Sequence, residues 1–202
     1  MSKYQNKYRV ASARAQWWDY GWNGAYFITI CTQNREHFFG KIIEARLIAS
    51  QPGQLAEKFW HEIPNQFPYA KLGDFVVMPD HIHGILILDK PTGGNDNGHN
   101  DDHVAQTRLI ASVSSPSPSK KSSKKTKNTG GFAGEKNPMI NKNISRIIRW
   151  YKGRCTYEIR KTHTDFAWQP RFHDHIIRNE TEYYRISDYI INNPSNWKNR
   201  RD

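Results

Sequence analysis

The chain has 202 residues, and its 30 Lys and Arg outnumber 19 Asp and Glu, leaving a net charge of +11. With no run of about 20 apolar residues, no apolar stretch behind the first charges and only two cysteines, it offers no membrane-spanning helix, secretory signal or disulfide framework. The expectation is a cytoplasmic, nucleoid-associated protein with a polyanionic partner, nucleic acid before membrane. The first predicted strand is Gly24 to Thr32, β-branched and aromatic after a glycine entry. A short hairpin follows at 38–43 and 45–48. Leu55, Phe59 and Ile63 recur at i, i+4 and i+8, with Phe67 completing the stripe, which predicts a helix over 52–67 that ends or kinks near Ile63 because of Pro64. Asp74 to Met78 reads as a strand, Pro79-Asp80 as a turn, and His81 to Leu88 as a nearly continuous apolar strand at the centre of a sheet.

Residues 89–138 are rich in Gly, Asn, Asp, Ser, Pro and Lys and bury too little apolar surface to offset their ordering entropy. They read as a flexible insert. After them Ile140, Ile144, Ile147, Ile148, Tyr151, Cys155 and Ile159 predict a basic amphipathic helix over about 138–161. A strand at 171–177 comes next. Asn179 with Glu182 then forms a capping-box signature for a last helix, which Pro194 ends. The elements alternate as βαββαβ plus a terminal helix, the order of an antiparallel ferredoxin-like α+β domain. The expected division is a basic N-terminal arm (1–20), a first catalytic part (21–88), the insert (89–138) and a second catalytic part (139–202). Charge follows that division: 1–20 carries +3, 21–88 carries −1, and 141–202 carries +6.

Three groups of residues offer chemistry. His81 and His83, at i and i+2 on a strand, project from one face and can converge on a cation or a phosphate oxygen. His173 and His175 repeat that spacing, and spacing alone does not choose between the pairs. Tyr189 and Asn193 share a helix face at i and i+4, offering a phenol as nucleophile and a carboxamide oxygen for a hard cation. Arg146, Arg149 and Lys152, interleaved with Trp150 and Tyr151, suit phosphates and bases, as do Arg9 and Arg14 beside Trp17 and Trp18 in the arm and Arg178 after the last strand.

Assembled in order, three motifs resemble a known family. The segment from Tyr20 to Thr32, the run Met78-Pro79-Asp80-His81-Ile82-His83-Gly84, and the ending from Phe172 to Asn179 and from Tyr189 to Pro194 are similar to the REP-associated tyrosine transposases, within the single-tyrosine HUH superfamily. The resemblance covers about 150 residues. It implies a ferredoxin-like, RRM-resembling domain that cuts and rejoins single-stranded or hairpin DNA through a 5′-phosphotyrosine, as a monomer or homodimer. It also implies Tyr189 as nucleophile, with His81, His83 and Asn193 holding Mg²⁺ or Mn²⁺. Where the family usually has Asn before the first histidine, this chain has Asp80, an added carboxylate beside the site. Two other readings compete. One is a non-catalytic RRM-like nucleic-acid-binding protein, with Tyr26 and Phe27 stacking on bases. The other is a zinc hydrolase using His81, His83 and a further histidine.

Overall fold

The computed structural model describes residues 19–91 and 143–197, together with the backbone of a two-residue strand pair, β1 (Lys3–Tyr4) and β2 (Lys7–Tyr8). Arg9, Arg14, residues 92–138 of the expected insert and the first turns of the expected basic helix lie outside the described residues.

The main sheet holds β3 (Gly24–Cys31), β6 (Ala70–Met78), β7 (His81–Leu88) and β8 (His173–Ile177) in the order β6-β7-β3-β8, with every neighbour antiparallel. This is the ferredoxin-like arrangement, and β7 is interior, as its apolar run predicts. The expected hairpin is β4 (Gly40–Ile43) with β5 (Arg46–Ala49).

α1 (Gln51–His61) starts at Ser50, whose hydroxyl accepts from the Gly53 N–H at 3.2 Å. Glu62 separates it from the single turn α2 (Ile63–Gln66), which has Pro64 in its first turn. α3 (Ile144–Ile159) begins later than the apolar period suggests, because Asn143 caps it by accepting from the Arg146 N–H at 3.0 Å. α4 (Glu180–Ile191) is capped by Asn179, which accepts from the Glu182 N–H at 2.8 Å. The other half of the predicted capping box is displaced by one residue. The Glu182 carboxylate accepts from the Arg178 N–H at 2.9 Å and pairs with His175 Nε2 at 2.8 Å.

Alternation along the strands divides the side chains between two faces. One face carries Tyr26, Ile28, Ile30, Ile82 and Leu86 against α1 and α3. Gly84 opens that face: a Cβ there would stand 2.3 Å from the Trp60 ring, which is fully buried, stacked on Phe75 at 4.7 Å and edge-on to Tyr151 at 5.4 Å. The other face carries Ala25, Ile85 and Ile177 against Ile186 and Ile190 of α4. Asp74 accepts a hydrogen bond from the Ser187 hydroxyl, fastening α4 to β6. The strand β6 is longer than predicted, since a bulge between Leu72 and Phe75 breaks the period of two that marks a strand.

Candidate active site

The first histidine pair opens β7 on the α4 face, and the register sets Thr29 opposite His83 and Cys31 opposite His81. Both imidazoles are buried, and their Nε2 atoms are 3.0 Å apart. Asp80 comes from the two-residue turn before them. Its backbone carbonyl accepts from the Thr32 N–H at 2.9 Å, which holds the turn against the end of β3.

The Asp80 carboxylate stands 2.5 Å from His81 Nδ1, with Arg35 at 3.5 Å on its other oxygen. Burial raises the pKa of Asp80, but the hydrogen bond and charge of His81, then Arg35 and His37, outweigh it and hold the carboxyl below its ordinary value. An ionised carboxylate only accepts, so His81 Nδ1 carries a proton toward Asp80 and Nε2 is the nitrogen that faces His83 and the cleft. Asp80 therefore sits behind His81 as its orienting partner.

His83 Nδ1 is 2.8 Å from the Thr29 hydroxyl, which can donate or accept and so permits either tautomer. Burial above all, then the charges of His81 and Arg35, push the His83 pKa down to about 3, with Asp80 opposing. His83 is thus neutral at physiological pH.

Tyr189 lies on the last turn of α4, half-exposed, with its hydroxyl 3.3 Å from His83 Nε2 and its ring edge-on to Phe27 at 6.1 Å. Asn193 falls in the turn after the helix and lines the same cleft of about 490 Å³. The four residues of the expected catalytic and metal set therefore converge within one chain. Sequence reasoning missed Thr29, Arg35, His37, Asn196 and Trp197, which also line the cleft. Trp197 lies 6.0 Å from the His81 ring and 5.7 Å from that of His37.

The donor set suits a hard or borderline divalent cation. Two imidazole nitrogens 3.0 Å apart and a carboxamide side chain line one space, and ligands bound at right angles about 2.1 Å from one ion stand about 3 Å apart. Among the described residues, no group of three His, Cys, Asp or Glu could hold a metal. The competing zinc-hydrolase reading would need such a third ligand.

Other expected residues fall elsewhere. His175 pairs with Glu182 and ties β8 to α4, while His173 is exposed at the start of β8. Arg146, Arg149 and Lys152 belong to α3, so the sheet separates that helix from Tyr189. The sequence does not convey this placement, because apolar periodicity shows that a helix is buried on one side, not which sheet face it covers. Arg146 stands over the Phe67 ring at 6.0 Å, and Lys152 donates to the carbonyls of Gln169 at 2.7 Å and Arg171 at 2.9 Å. Arg178 is at the opposite end of α4 from Tyr189. Tyr26 is fully buried and donates to the Trp22 carbonyl at 2.9 Å, while Phe27 stacks on His83 at 5.2 Å. Tyr26 thus offers no face to a base, contrary to the stacking reading.

No protein-family model matches the chain. A solved structure of a REP-associated tyrosine transposase bound to a REP hairpin is similar over 97% of this chain and 74% of that one, with 20% identity and a TM-score of 0.49. A crystal structure from Deinococcus radiodurans, described as a candidate transposase, aligns over 92% of this chain and 97% of that one, with 13% identity and a TM-score of 0.40. An uncharacterised protein of Haemophilus influenzae is 31% identical over 188 residues, 93% of this chain and 89% of its own length. On that near-complete match, the chain belongs to the same family as the Haemophilus influenzae protein.

Proposed function

We propose that the protein is a REP-associated tyrosine transposase that cuts and rejoins single-stranded or hairpin DNA through a 5′-phosphotyrosine. The observation that carries this reading is the Tyr189 hydroxyl 3.3 Å from the Nε2 of a histidine whose own Nε2 neighbour is 3.0 Å away. A phenol, two imidazoles and a carboxamide on one cleft are the parts that attack on a phosphodiester requires.

His81, His83 and Asn193 would hold Mg²⁺ or Mn²⁺, which supplies charge neutralisation at a nonbridging phosphate oxygen. Asp80 and Thr29 orient the two imidazoles from behind. Arg35, exposed on the cleft wall, is placed to meet a second phosphate oxygen. The Tyr189 oxygen forms a bond to phosphorus as the bond from phosphorus to the 3′-oxygen breaks, leaving a 3′-hydroxyl. With its Nε2 given to the cation, His83 would have no lone pair for the phenolic proton, which leaves to water at the open mouth of the cleft. Attack by another DNA 3′-hydroxyl on the phosphotyrosyl link reverses the step without a nucleotide cofactor.

The test uses labelled hairpin DNA with single-stranded flanks, in Mg²⁺ or Mn²⁺. The expected product is a protein–DNA adduct that survives denaturant and is abolished by Tyr189→Phe or by chelation. Cleavage that persists in Tyr189→Phe overturns the proposal.

A further inference from the structure

Strand transfer leaves one proton without a source. When the bond from phosphorus to the 3′-oxygen breaks, that oxygen departs as an alkoxide, a poor leaving group unless an acid protonates it as it goes. We propose that the His37 imidazole supplies this proton and takes it back from the incoming 3′-hydroxyl on rejoining, an inference that rests on the strand-transfer function above.

The backbone holds His37 at the site. It belongs to the loop between β3 and β4, and both feet of that loop stand on the two-residue turn before His81. At the first foot the Thr32 N–H donates to the Asp80 carbonyl at 2.9 Å, and at the second the Phe39 N–H donates to the Pro79 carbonyl at 3.0 Å. Phe39 is fully buried, its ring 5.9 Å from that of Phe166, and anchors the second foot. Between the feet the Thr32 hydroxyl stands 2.8 Å from the Glu36 carbonyl. Asn34 and Arg35, consecutive non-glycine residues at φ 54° and 60°, fold the loop back through the left-handed region. A loop pinned so closely keeps His37, two residues before Phe39, on the wall of the cleft.

The contacts along the cleft run in a row. The Tyr189 hydroxyl is 3.3 Å from His83 Nε2, which is 3.0 Å from His81 Nε2. The His81 ring lies 6.0 Å from that of Trp197, and the Trp197 ring 5.7 Å from that of His37. His37 is also near enough to Asp80, behind His81, for its charge to help lower the Asp80 pKa. Tyr189 thus stands at the His83 end of the histidine pair, and His37 beyond His81. Displacement at phosphorus places the attacking and leaving oxygens roughly in line on opposite sides. A phosphate at the pair, attacked from the His83 end, turns its 3′-oxygen toward His37.

Of the three imidazoles in the cleft, His37 is the one with its nitrogens to spare. Asp80 engages His81 Nδ1 and Thr29 engages His83 Nδ1, while His37 is exposed and has no hydrogen-bond partner among the described residues. Arg35 shares the wall but keeps its proton, whereas imidazole is the side chain that exchanges one near neutral pH. In cleavage the bond from the Tyr189 oxygen to phosphorus forms, the bond from phosphorus to the 3′-oxygen breaks, and the imidazolium proton moves to that oxygen. The products are a 3′-hydroxyl and neutral His37. In rejoining, neutral His37 takes the proton of the incoming 3′-hydroxyl as its oxygen bonds to phosphorus and the Tyr189 oxygen departs, to be protonated by water.

The test compares two hairpin oligonucleotides that differ in one atom at the severed link, a bridging 3′-oxygen or a sulfur in its place. A thiolate departs without a proton, so the sulfur substrate does not need the acid. Rates of adduct formation are measured in Mn²⁺ with saturating full-length protein. His37→Ala is expected to slow the oxygen substrate by about 100- to 10,000-fold and the sulfur substrate by no more than about threefold. His37 is exposed, so the fold is expected to survive, as thermal melting will show. Mn²⁺ affinity, read by calorimetry, is expected to be unchanged in His37→Ala. Equal slowing of both substrates, an unimpaired oxygen substrate or a lost Mn²⁺ affinity overturns the role of His37 and leaves strand transfer standing. A native chain that forms no adduct with either substrate overturns strand transfer, and the role of His37 falls with it.

Discussion

His83 gives the most direct route to a test at a single residue. Its imidazole is 6% exposed and its pKa is pushed down to about 3, whereas an unfolded histidine titrates near 6.5. Between these values the unfolded chain binds a proton that the folded chain refuses. Stability is therefore expected to fall as pH drops from about 6.5 toward 3, by up to a few kcal/mol. Urea unfolding of the metal-free protein at pH 7, 6 and 5 will show it. A slope that persists in His83→Gln assigns the effect elsewhere. Asp80 invites a second test. Asp80→Ala is expected to weaken Mn²⁺ binding by about 10- to 100-fold, read by calorimetry or by the spectrum of the bound ion. Asp80→Asn is expected to weaken it less, because a carboxamide oxygen still accepts from His81 Nδ1. Equal Mn²⁺ affinity in Asp80→Ala would remove Asp80 from the site. Short periods set each histidine pair, and Tyr189 with Asn193, on shared faces, while the choice of His81 and His83 over His173 and His175 rests on the family resemblance. Thr29 and Arg35 are not legible in the sequence, because strand register and a left-handed turn bring them in from 54 and 45 residues before His83 and Asp80.

Among the elements, two glycines of opposite character test how the layers are built. Gly84 on β7 admits the Trp60 ring, so Gly84→Ala is expected to cost roughly 1–3 kcal/mol through overpacking. Gly153 on α3 has nothing within 4 Å of a built Cβ, so Gly153→Ala is expected to add about 0.5–1 kcal/mol. Equilibrium denaturation of both variants checks the signs, and a neutral Gly84→Ala would contradict the packing described. The same elements show what the text of the chain conveys. The apolar run of β7 announces an interior strand, and the Asn179 cap announces α4. The bulge in β6 hides the strand's first residues, since Gly73 and Asp74 break the alternation that Ala70, Lys71 and Leu72 begin. The basic residues of α3 announce an exposed face, yet only the tertiary arrangement shows that this face looks away from the tyrosine.

For the whole molecule, the ends of the undescribed segment are fastened to one place. Lys90 exchanges hydrogen bonds with the Asn23 side chain, and the Ile144 N–H donates to the Tyr20 carbonyl at 3.3 Å. Both lie at the end of the sheet away from His81, about 25 Å along β7. Replacing residues 92–142 by a linker of about ten residues is therefore expected to leave the fold intact and gain on the order of 1 kcal/mol from easier loop closure. A large fall in melting temperature would show that the segment supports the fold. Because Tyr189 meets the histidines of its own chain, mixing Tyr189→Phe with a His81→Ala, His83→Ala double variant is expected to restore no adduct formation. Restored activity would mean that chains exchange α4. The same cis pairing bears on reaction order. Under the proposed strand transfer, a chain with one reactive phenol would carry one severed 5′ end at a time, so joining two ends would demand either consecutive rounds on a single chain, at a rate independent of protein dilution, or a second chain arriving with its own end already attached.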